Sequence, residues 1–311
     1  MSFNYRNQEG ILLNTESQRY NFRINSDHQV NPWLKVGENL SYSMLNGNGA
    51  NTNDGYIGAI LSAMYYVPSL TVYEESGNYS GLPLAFAGDY GDMINPVAYL
   101  NRIDFRNPSH SLMVNPYLEV KLGAYLKYRS NLAITQRFTG SKDVKRRRLE
   151  IGKLDRQNQV AYTNDFSKTL LAEQVLSYDR TFNGHHLDLT GVYSFQKDSS
   201  EGFAAMIQNF PQEISSFMYL QNGLDNKTMS SYLERRALNS MMFRVNYDYR
   251  SKYMVSLIGR RDGTSLLPEK NRYESFYAVS GAWNVAKENF MAASGFSTFK
   301  LRASHGYTGN L

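Results

Sequence analysis

The sequence predicts an all-β protein, namely an antiparallel up-and-down transmembrane β-barrel portion of about ten strands. Three observations predict this fold class. Several segments alternate apolar and polar side chains with period two, as strands do when their two faces differ in environment. Short and long connections alternate along the chain. Aromatic residues make up 14% of the 311 residues, with 24 Tyr, 16 Phe and 2 Trp, and tyrosine suits both pleated strands and membrane-interface girdles.

The clearest alternating segment is 240–249. Met241 and Phe243 fall on one face and Arg244 and Asn246 on the other, whereas a helix would mix the two sets. The same pattern, strong in some segments and weaker in others, predicts nine further strands at 19–25, 34–42, 118–122, 126–134, 169–179, 187–195, 253–260, 275–285 and 299–303.

The connections favour hairpins of unequal loop length. Asn183-Gly184 is a strong hairpin signal, because a type I′ turn needs positive φ at both central residues. Short periplasmic turns are predicted at 27–32, 123–124, 183–184 and 250–252, and long extracellular loops at 44–115, 137–167, 197–238 and 262–272. This asymmetry is typical of outer-membrane barrels, and a Greek-key sandwich has no reason to show it.

Two segments with helical spacing lie within the predicted loops. In 56–67 the apolar residues are Ile57, Ile60, Leu61 and Met64, and in 203–210 they are Phe203, Met206, Ile207 and Phe210. The sequence therefore predicts a short amphipathic helix in each. These helices either pack the loops together or help to line a ligand cavity.

Charged side chains mark one face of each strand as polar. A Lys or Arg that faces lipid at mid-membrane costs about 2–4 kcal/mol, so the two faces of a barrel are not interchangeable. The residues assigned to the polar face are Arg19, Arg23, Glu119, Lys121, Lys127, Arg129, Arg244, Asp248, Lys300 and Arg302. A half-solvated soluble sheet gives the same alternation, so a soluble or surface-attached all-β binding protein stays open as an alternative.

Composition excludes several classes of protein. The absence of cysteine excludes disulfides, thiolate zinc sites, Fe–S clusters and cysteine nucleophiles. No run approaches the ~18 apolar residues of a transmembrane helix, which excludes a helical membrane protein. Residues 2–6 contain no apolar h-region, so no signal peptide is predicted. The basic run 142–148 is expected to be solvated loop surface, with contacts to lipopolysaccharide as a variant.

Signals for catalysis, metal binding and nucleic-acid binding are weak. His185, His186 and Asp188 lie beside a turn, but no third ligand stands near His186 and Asp188, so no metal site is predicted. No nucleophile motif, P-loop or dinucleotide fingerprint is present, and we expect neither an enzyme nor a cofactor. The basic run lacks the interleaved aromatic residues of a single-strand platform, so no nucleic-acid partner is expected.

Aromatic side chains in the long loops are the candidates for ligand binding. Flat rings stack on sugars, and neighbouring Asn and Asp side chains can bond to hydroxyl groups; the alternative is that the rings only pack the loops. These residues are Tyr65, Tyr66, Tyr73, Tyr79, Phe86 and Tyr90 in the first loop, and Phe217 and Tyr219 in the third.

Three stretches, in this order and spacing, resemble the barrel of SusC/RagA-type TonB-linked outer-membrane proteins of Bacteroidota. The first is 19–25 with 33–37, the second is 259–265 with 271–273 and 278–283, and the third is 300–310. The motif residues, expected to be structural, are Arg260, Arg261, Asp262, Gly263, Asn271, Arg272, Tyr273, Leu301, Arg302, Gly306, Gly309 and Asn310.

This resemblance implies an importer in the cell outer membrane, in contact with its lipid, that takes up large nutrients such as oligosaccharides (glycans) or peptides. It also implies a SusD-like surface lipoprotein as partner and energy supplied by TonB through an N-terminal plug. The chain departs from the family pattern because it shows no plug, TonB box or signal peptide and stops after 308–310. We therefore expect residues 1–311 to be a partial barrel domain that lacks the plug, the signal peptide and the C-terminal strands. A passive porin is a further alternative.

Overall fold

A computed structural model describes residues 1–50, 58–83, 85, 88, 93–102, 104–292 and 294–309. These residues form one antiparallel sheet of twelve strands. Each strand pairs with its neighbours in sequence, with one local exception. Strand β4 pairs with β3 and β6 at the loop end of the sheet, and β5 pairs with the same two strands. The architecture is the predicted up-and-down barrel portion.

The bounds of the strands are as follows. They are β1 Ser2–Glu9, β2 Glu16–Asn31, β3 Leu34–Asn48, β4 Asp104–Arg106, β5 Ser109–Lys121, β6 Leu126–Lys145, β7 Gln159–Phe182, β8 His185–Gln208, β9 Asp225–Tyr249, β10 Tyr253–Thr264, β11 Tyr273–Asn284 and β12 Lys300–Tyr307.

All ten predicted strands are present, and the sequence missed β1 and β4. Three strands are much longer than predicted, since β7, β8 and β9 have 24, 24 and 25 residues. In their loop-side halves, polar residues such as Lys168, Ser199 and Arg235 fall among the apolar residues of one face, so the alternation becomes irregular while the backbone ladder continues. The long loops are correspondingly shorter and span 49–103, 146–158, 209–224 and 265–272.

Three of the four short turns, at 123–124, 183–184 and 250–252, are where the sequence predicts them, whereas the turn predicted at 27–32 is confined to residues 32–33 because β2 continues to Asn31. Asn183 and Gly184 have φ of 48° and 82°, as a type I′ turn requires, and Arg250 and Ser251 have φ of 50° and 54°. One connection on the short-turn side departs from the pattern. Segment 285–299, between β11 and β12, is long and contains two 3-10 turns, Val285–Lys287 and Asn289–Met291.

Two short α-helices lie in the first loop. Helix α1, Ala59–Tyr65, confirms the helix predicted within 56–67, although Ile57 lies outside the described residues. Helix α2, Pro96–Arg102, was not predicted. Within the described part of the chain, no helix combines the length and apolarity that crossing a membrane requires.

The helix predicted over 203–210 is wrong. Residues 203–208 are the end of β8, paired with β7 and β9. Phe203, Ala205 and Ile207 alternate along one face, a pattern of period two that the sequence contains together with the helical spacing. Two neighbouring strands supply backbone partners for this segment, and this pairing decides between the two patterns.

The two faces of the sheet differ sharply. The apolar face is exposed in this chain, with Met241 59% and Phe243 55% accessible. Other exposed side chains on this face are Leu118, Leu132, Leu176, Tyr193, Phe195, Val255, Leu257, Tyr277, Val279 and Leu301. Glu38 interrupts the face near a short turn, where the Ser26 hydroxyl donates to its carboxylate at 3.3 Å. An exposed apolar surface of this extent marks a face that contacts a membrane or another protein.

A small buried core joins the loops to the ends of the strands. Val144, Val160 and Ile207 project from β6, β7 and β8 and pack with Phe210 and Met218 of the loop 209–224. Val144 pairs with Val160, and Val160 with Ile207, in one register row. This row belongs to the same face as the apolar band. The third loop therefore folds onto the outer ends of the strands on that side.

Candidate functional site: the polar face and the loop cluster

The polar face carries charges that are paired with each other. The Asp198 carboxylate accepts hydrogen bonds from Arg236 Nε at 2.7 Å, Thr169 Oγ1 at 2.7 Å and Gln196 Nε2 at 2.9 Å. Toward the loops, the Tyr232 hydroxyl donates to Asp165 at 2.7 Å. Because these pairs cross from β7 to β9, they form a polar surface that can bond to hydroxyl or amide groups of a solute.

A second polar group lies on the same face near the short turns. The Tyr117 ring covers Gly37, where an added β-carbon would lie 2.5 and 2.6 Å from two ring carbons. The Arg129 guanidinium lies 4.3 Å from the centre of this ring, and the Tyr117 hydroxyl donates to Asp27. Lys35 Nζ is 3.3 Å from the same carboxylate. Glycine at position 37 is what allows the ring to lie flat on the sheet.

Of the predicted first-loop aromatics, Tyr73 and Tyr79 come together. Their rings stack with centroids 5.3 Å apart, and Asn101 Nδ2 donates to the Tyr79 hydroxyl at 3.0 Å. The Arg102 guanidinium lies 5.3 Å from the Tyr79 ring centre. Its Nη1 donates to both carboxylate oxygens of Glu150, at 2.6 Å to Oε1 and 2.9 Å to Oε2. The first and second loops are thereby joined through a carboxylate whose side chain is only 4% exposed.

The remaining first-loop candidates are placed differently. Tyr65 is exposed at the end of α1, and the Tyr66 hydroxyl donates to the Thr71 carbonyl at 3.4 Å. Burial, together with the nearby charge of Glu150, raises the pKa of Tyr66, so this phenol stays protonated at neutral pH. Phe86 and Tyr90 lie outside the described residues.

The third-loop candidates lie on the side of the sheet that carries the apolar band. Phe217 packs against the buried core described above. The Tyr219 ring lies 4.0 Å from Lys142 Nζ, and Tyr162 flanks the same ammonium at 5.8 Å. A groove of about 690 Å³ opens here, lined in part by Lys142, Tyr162 and Asn164, and this volume is large enough for a small ligand.

The basic run is not the solvated surface that the sequence predicts. Residues 142–145 belong to β6, and the arginines that follow bind the neighbouring loops. Arg146 donates to the Arg102 carbonyl at 2.7 Å and to Ser215 at 2.9 Å, while Arg147 donates to the Phe210 carbonyl at 2.8 Å. Backbone carbonyls at loop ends lack strand partners, and guanidinium groups with several donors satisfy them.

Several motif residues have structural contacts. On β10, Arg260 Nε donates to Asp262 at 2.6 Å, and the Tyr273 ring covers Gly263 with Arg261 5.1 Å from its centre. Gly306 faces Ala278 and Gly309 faces Phe276, whereas Leu301 and Arg302 pair with Trp283 and Ala282. Asn271 donates its backbone N–H to the Pro268 carbonyl, and Arg272 donates its own to the Glu269 carbonyl. Asn310 lies outside the described residues.

The histidine pair is engaged in local contacts. His185 Nδ1 and the Tyr247 hydroxyl are 2.7 Å apart, and His186 Nε2 is 3.1 Å from Asp179. Asp188 accepts a hydrogen bond from Asn246 at 3.0 Å. Across the described ranges, no group of three or more His, Asp or Glu side chains has the geometry of a metal site.

Comparisons with known proteins place this geometry in a family. TonB-dependent receptor P3 of Formosa agariphila is 31% identical over 317 residues, covering 100% of this chain and 31% of the relative. The TonB-dependent receptor SusC of Bacteroides thetaiotaomicron is 23% identical and aligns with 99% of the chain and 32% of its own length. The chain belongs to the SusC/RagA-type TonB-dependent receptors. No protein-family model matches it.

The fold of this receptor segment has a counterpart of known structure. The RagAB peptide importer in its open-open state superimposes with a TM-score of 0.81 at 19% identity, covering 99% of the segment and 34% of that chain. The segment therefore spans about a third of the length of the receptors it matches.

The most densely bonded residues of this receptor segment were missed by sequence reasoning. Asp198 and Arg236 are 38 positions apart, and Arg102 and Glu150 are 48 apart. The polar phase of a strand indicates which face Arg236 occupies, but the partner depends on register, and loop ion pairs leave no periodic signal. The sequence clue that was available is the position of Arg236 in the polar phase of its strand.

Proposed function

We propose that this segment is part of the barrel of a TonB-dependent importer in the outer membrane, and that residues 1–311 form a partial barrel domain. The observation that carries the proposal is the contrast between an exposed apolar face and an ion-paired polar face along the strands. The apolar face suits lipid, since burying it in hydrocarbon is favourable. The polar face suits a water-filled lumen, because charged side chains such as Arg236 and Asp198, which pair with each other there, are costly to place in lipid.

The substrates proposed are large nutrients, either oligosaccharides or peptides. RagAB, the fold relative, is a peptide importer by its name. In this chain, the stacked rings of Tyr73 and Tyr79 offer a surface to a sugar ring or to a peptide side chain. The Tyr219–Lys142 pair lies on the side of the apolar band and would meet a substrate only outside the lumen. We propose a SusD-like surface lipoprotein as the partner on the loop side, with energy transmitted from TonB through a plug domain of the complete receptor.

Uptake assays test this proposal. Fluorescent oligosaccharides and fluorescent oligopeptides would be supplied to cells with the complete receptor, to cells that lack it, and to cells that lack TonB. We expect uptake of one substrate class to be lost in both deletion strains. Uptake that persists without TonB would indicate a passive porin, and extraction of the receptor by carbonate without detergent would indicate a surface protein with no channel.

A further inference from the structure

A basic cluster interrupts the apolar face in the loop-side halves of β7, β8 and β9. In one register row, Lys168 of β7 pairs with Ser199 of β8, and Ser199 pairs with Arg235 of β9. Lys197 lies two positions nearer the short turn on the same face of β8. The three cationic residues are exposed. Because β7 and β9 are two strand spacings apart, about 10 Å, both long side chains can converge above Ser199.

The cations of this cluster are not part of the charge pairs described on the polar face. Among the residues that the structure describes, Lys168, Lys197 and Arg235 form no ion pair, whereas the next residue, Arg236, points to the other face and binds Asp198 at 2.7 Å. The acid nearest in sequence on this face is Glu201, which pairs in register with Phe166 and Leu233 beyond the cluster. Three cations beside this single carboxylate give the site a net positive charge, which is complementary to an anion.

The position of the cluster relative to the band indicates the kind of anion. Lys197 is about twelve residues beyond the turn that precedes β8, a rise of about 28 Å for a strand tilted by ~45°. That distance matches an apolar band about 25 Å tall. Phe195 and Leu170 lie on the turn side of the cluster and offer an apolar surface to acyl chains. The cluster is therefore level with the headgroups of the loop-side leaflet.

We propose that Lys168, Ser199 and Arg235, together with Lys197, bind the phosphate of an anionic lipid headgroup in the outer leaflet. This inference rests on the membrane placement in the proposed function. The guanidinium of Arg235 supplies paired donors and the two ammonium groups supply point charges, while the Ser199 hydroxyl completes the oxygen contacts. The bound lipid would cover part of the exposed apolar band.

The test uses the complete receptor, purified in detergent, and diphosphoryl lipid A as the probe, with binding followed by native mass spectrometry. We expect the double variant K168Q/R235Q to bind about tenfold more weakly, because two charge-assisted contacts are lost. The variant K168R/R235K keeps both charges and should bind nearly as the wild type does. R236Q removes one charge from the adjacent position on the opposite face and should leave binding unchanged.

Either of two results would overturn the inference: equal binding of K168Q/R235Q and the wild type, or an equal loss in R236Q. Dephosphorylated lipid A provides a test without any variant, because the wild type should bind it about tenfold more weakly than the diphosphoryl form. Carbonate extraction separates this failure from failure of the proposed function. If the receptor stays in the membrane but binds both forms of lipid A equally well, only the lipid site is contradicted.

Discussion

Trp283 donates its indole N–H to Glu288 at 3.1 Å, which fixes the long connection 285–299 against the end of β11. The same carboxylate accepts hydrogen bonds from the Tyr253 hydroxyl at 2.7 Å and from Lys252 Nζ at 3.1 Å. One acid thus joins the turn 250–252, the first residue of β10 and the connection between β11 and β12. This contact explains how the short-turn side accommodates an unusually long connection.

The first prediction concerns the pH dependence of this contact. Hydrogen bonds from Tyr253, Trp283 and Lys252 lower the pKa of Glu288 from 4.5 to about 2. A lowered folded-state pKa contributes stability that is full above pH 4.5 and is lost as the pH falls toward 2. We expect E288Q to have a lower free energy of unfolding than the wild type at pH 6 and the same value near pH 2. Urea unfolding in micelles at the two pH values measures this difference.

Glu269 provides the control for that experiment. It lies in a 3-10 turn on the loop side, its side chain is exposed, and within the described structure its carboxylate accepts no side-chain hydrogen bond. E269Q should track the wild type at both pH values. A stability difference for E288Q that is as large at pH 2 as at pH 6 would contradict the prediction.

The second prediction concerns the tyrosine that covers a glycine. Replacing Gly37 by Ala places a methyl group against the Tyr117 ring and should destabilise the sheet by about 1–3 kcal/mol. Gly191 is the matched control, because nothing lies within 4 Å of a β-carbon added there. Equilibrium unfolding in micelles measures both. The account fails if G37A and G191A have the same stability, or if removing the ring in G37A/Y117A brings no recovery.

The third prediction concerns the ion pair between the first and second loops. R102M leaves the buried Glu150 carboxylate unpaired and should destabilise this loop cluster by about 3 kcal/mol. R106M breaks the pair with Asp104, in which the arginine side chain is 70% exposed, and should cost less than ~1 kcal/mol. Hydrogen exchange of segment 146–158 reports the local effect. Equal protection in the two variants would argue against a structural role for Arg102–Glu150.

The fourth prediction concerns the loop aromatics. If Tyr73 stacks on the substrate, Y73A should weaken its binding by about 3- to 10-fold, a typical loss for an exposed aromatic contact. Tyr219 lies on the side of the apolar band, so Y219A should leave binding in the lumen nearly unchanged. L224A is the control, since Leu224 is an exposed apolar residue in the third loop outside both aromatic clusters. Titration of the complete receptor with the imported substrate measures all three. Unchanged affinity in Y73A would mean that the Tyr73 ring only packs the loop, and weakened binding in Y219A would show that the substrate also contacts the outer side of the loops.

The fifth prediction concerns the size of the native protein. An antibody raised against loop 262–272 should detect a polypeptide in purified outer membranes far above 35.5 kDa, because the related receptors are about three times as long as this chain. A heat-modifiable band at 35.5 kDa would instead indicate a small self-standing barrel. In that case, the mechanism driven by TonB would have to be abandoned.

The sequence alone determined which residues lie on each face of the strands and where the tight turns fall. Both follow from local rules: side chains alternate with period two, and Asn183-Gly184 accepts positive φ. The same local rules failed at 203–210, where helical and strand spacing coexist and the pairing with β7 and β9 decides. They also failed in the loop-side halves of β7, β8 and β9, where Lys168, Ser199 and Arg235 interrupt the apolar face and the alternation that marks a strand becomes irregular.

Only the tertiary structure decided which charges meet. Arg235 and Arg236 are adjacent and chemically identical, yet one faces the apolar side without an ion partner in the described structure and the other binds Asp198. Likewise, Arg146 and Arg147 belong to a run that predicts solvated surface, but they bind the Arg102 and Phe210 carbonyls of other loops. Periodicity assigns a residue to a face, whereas its partner depends on register and on loop closure, which are properties of the whole sheet.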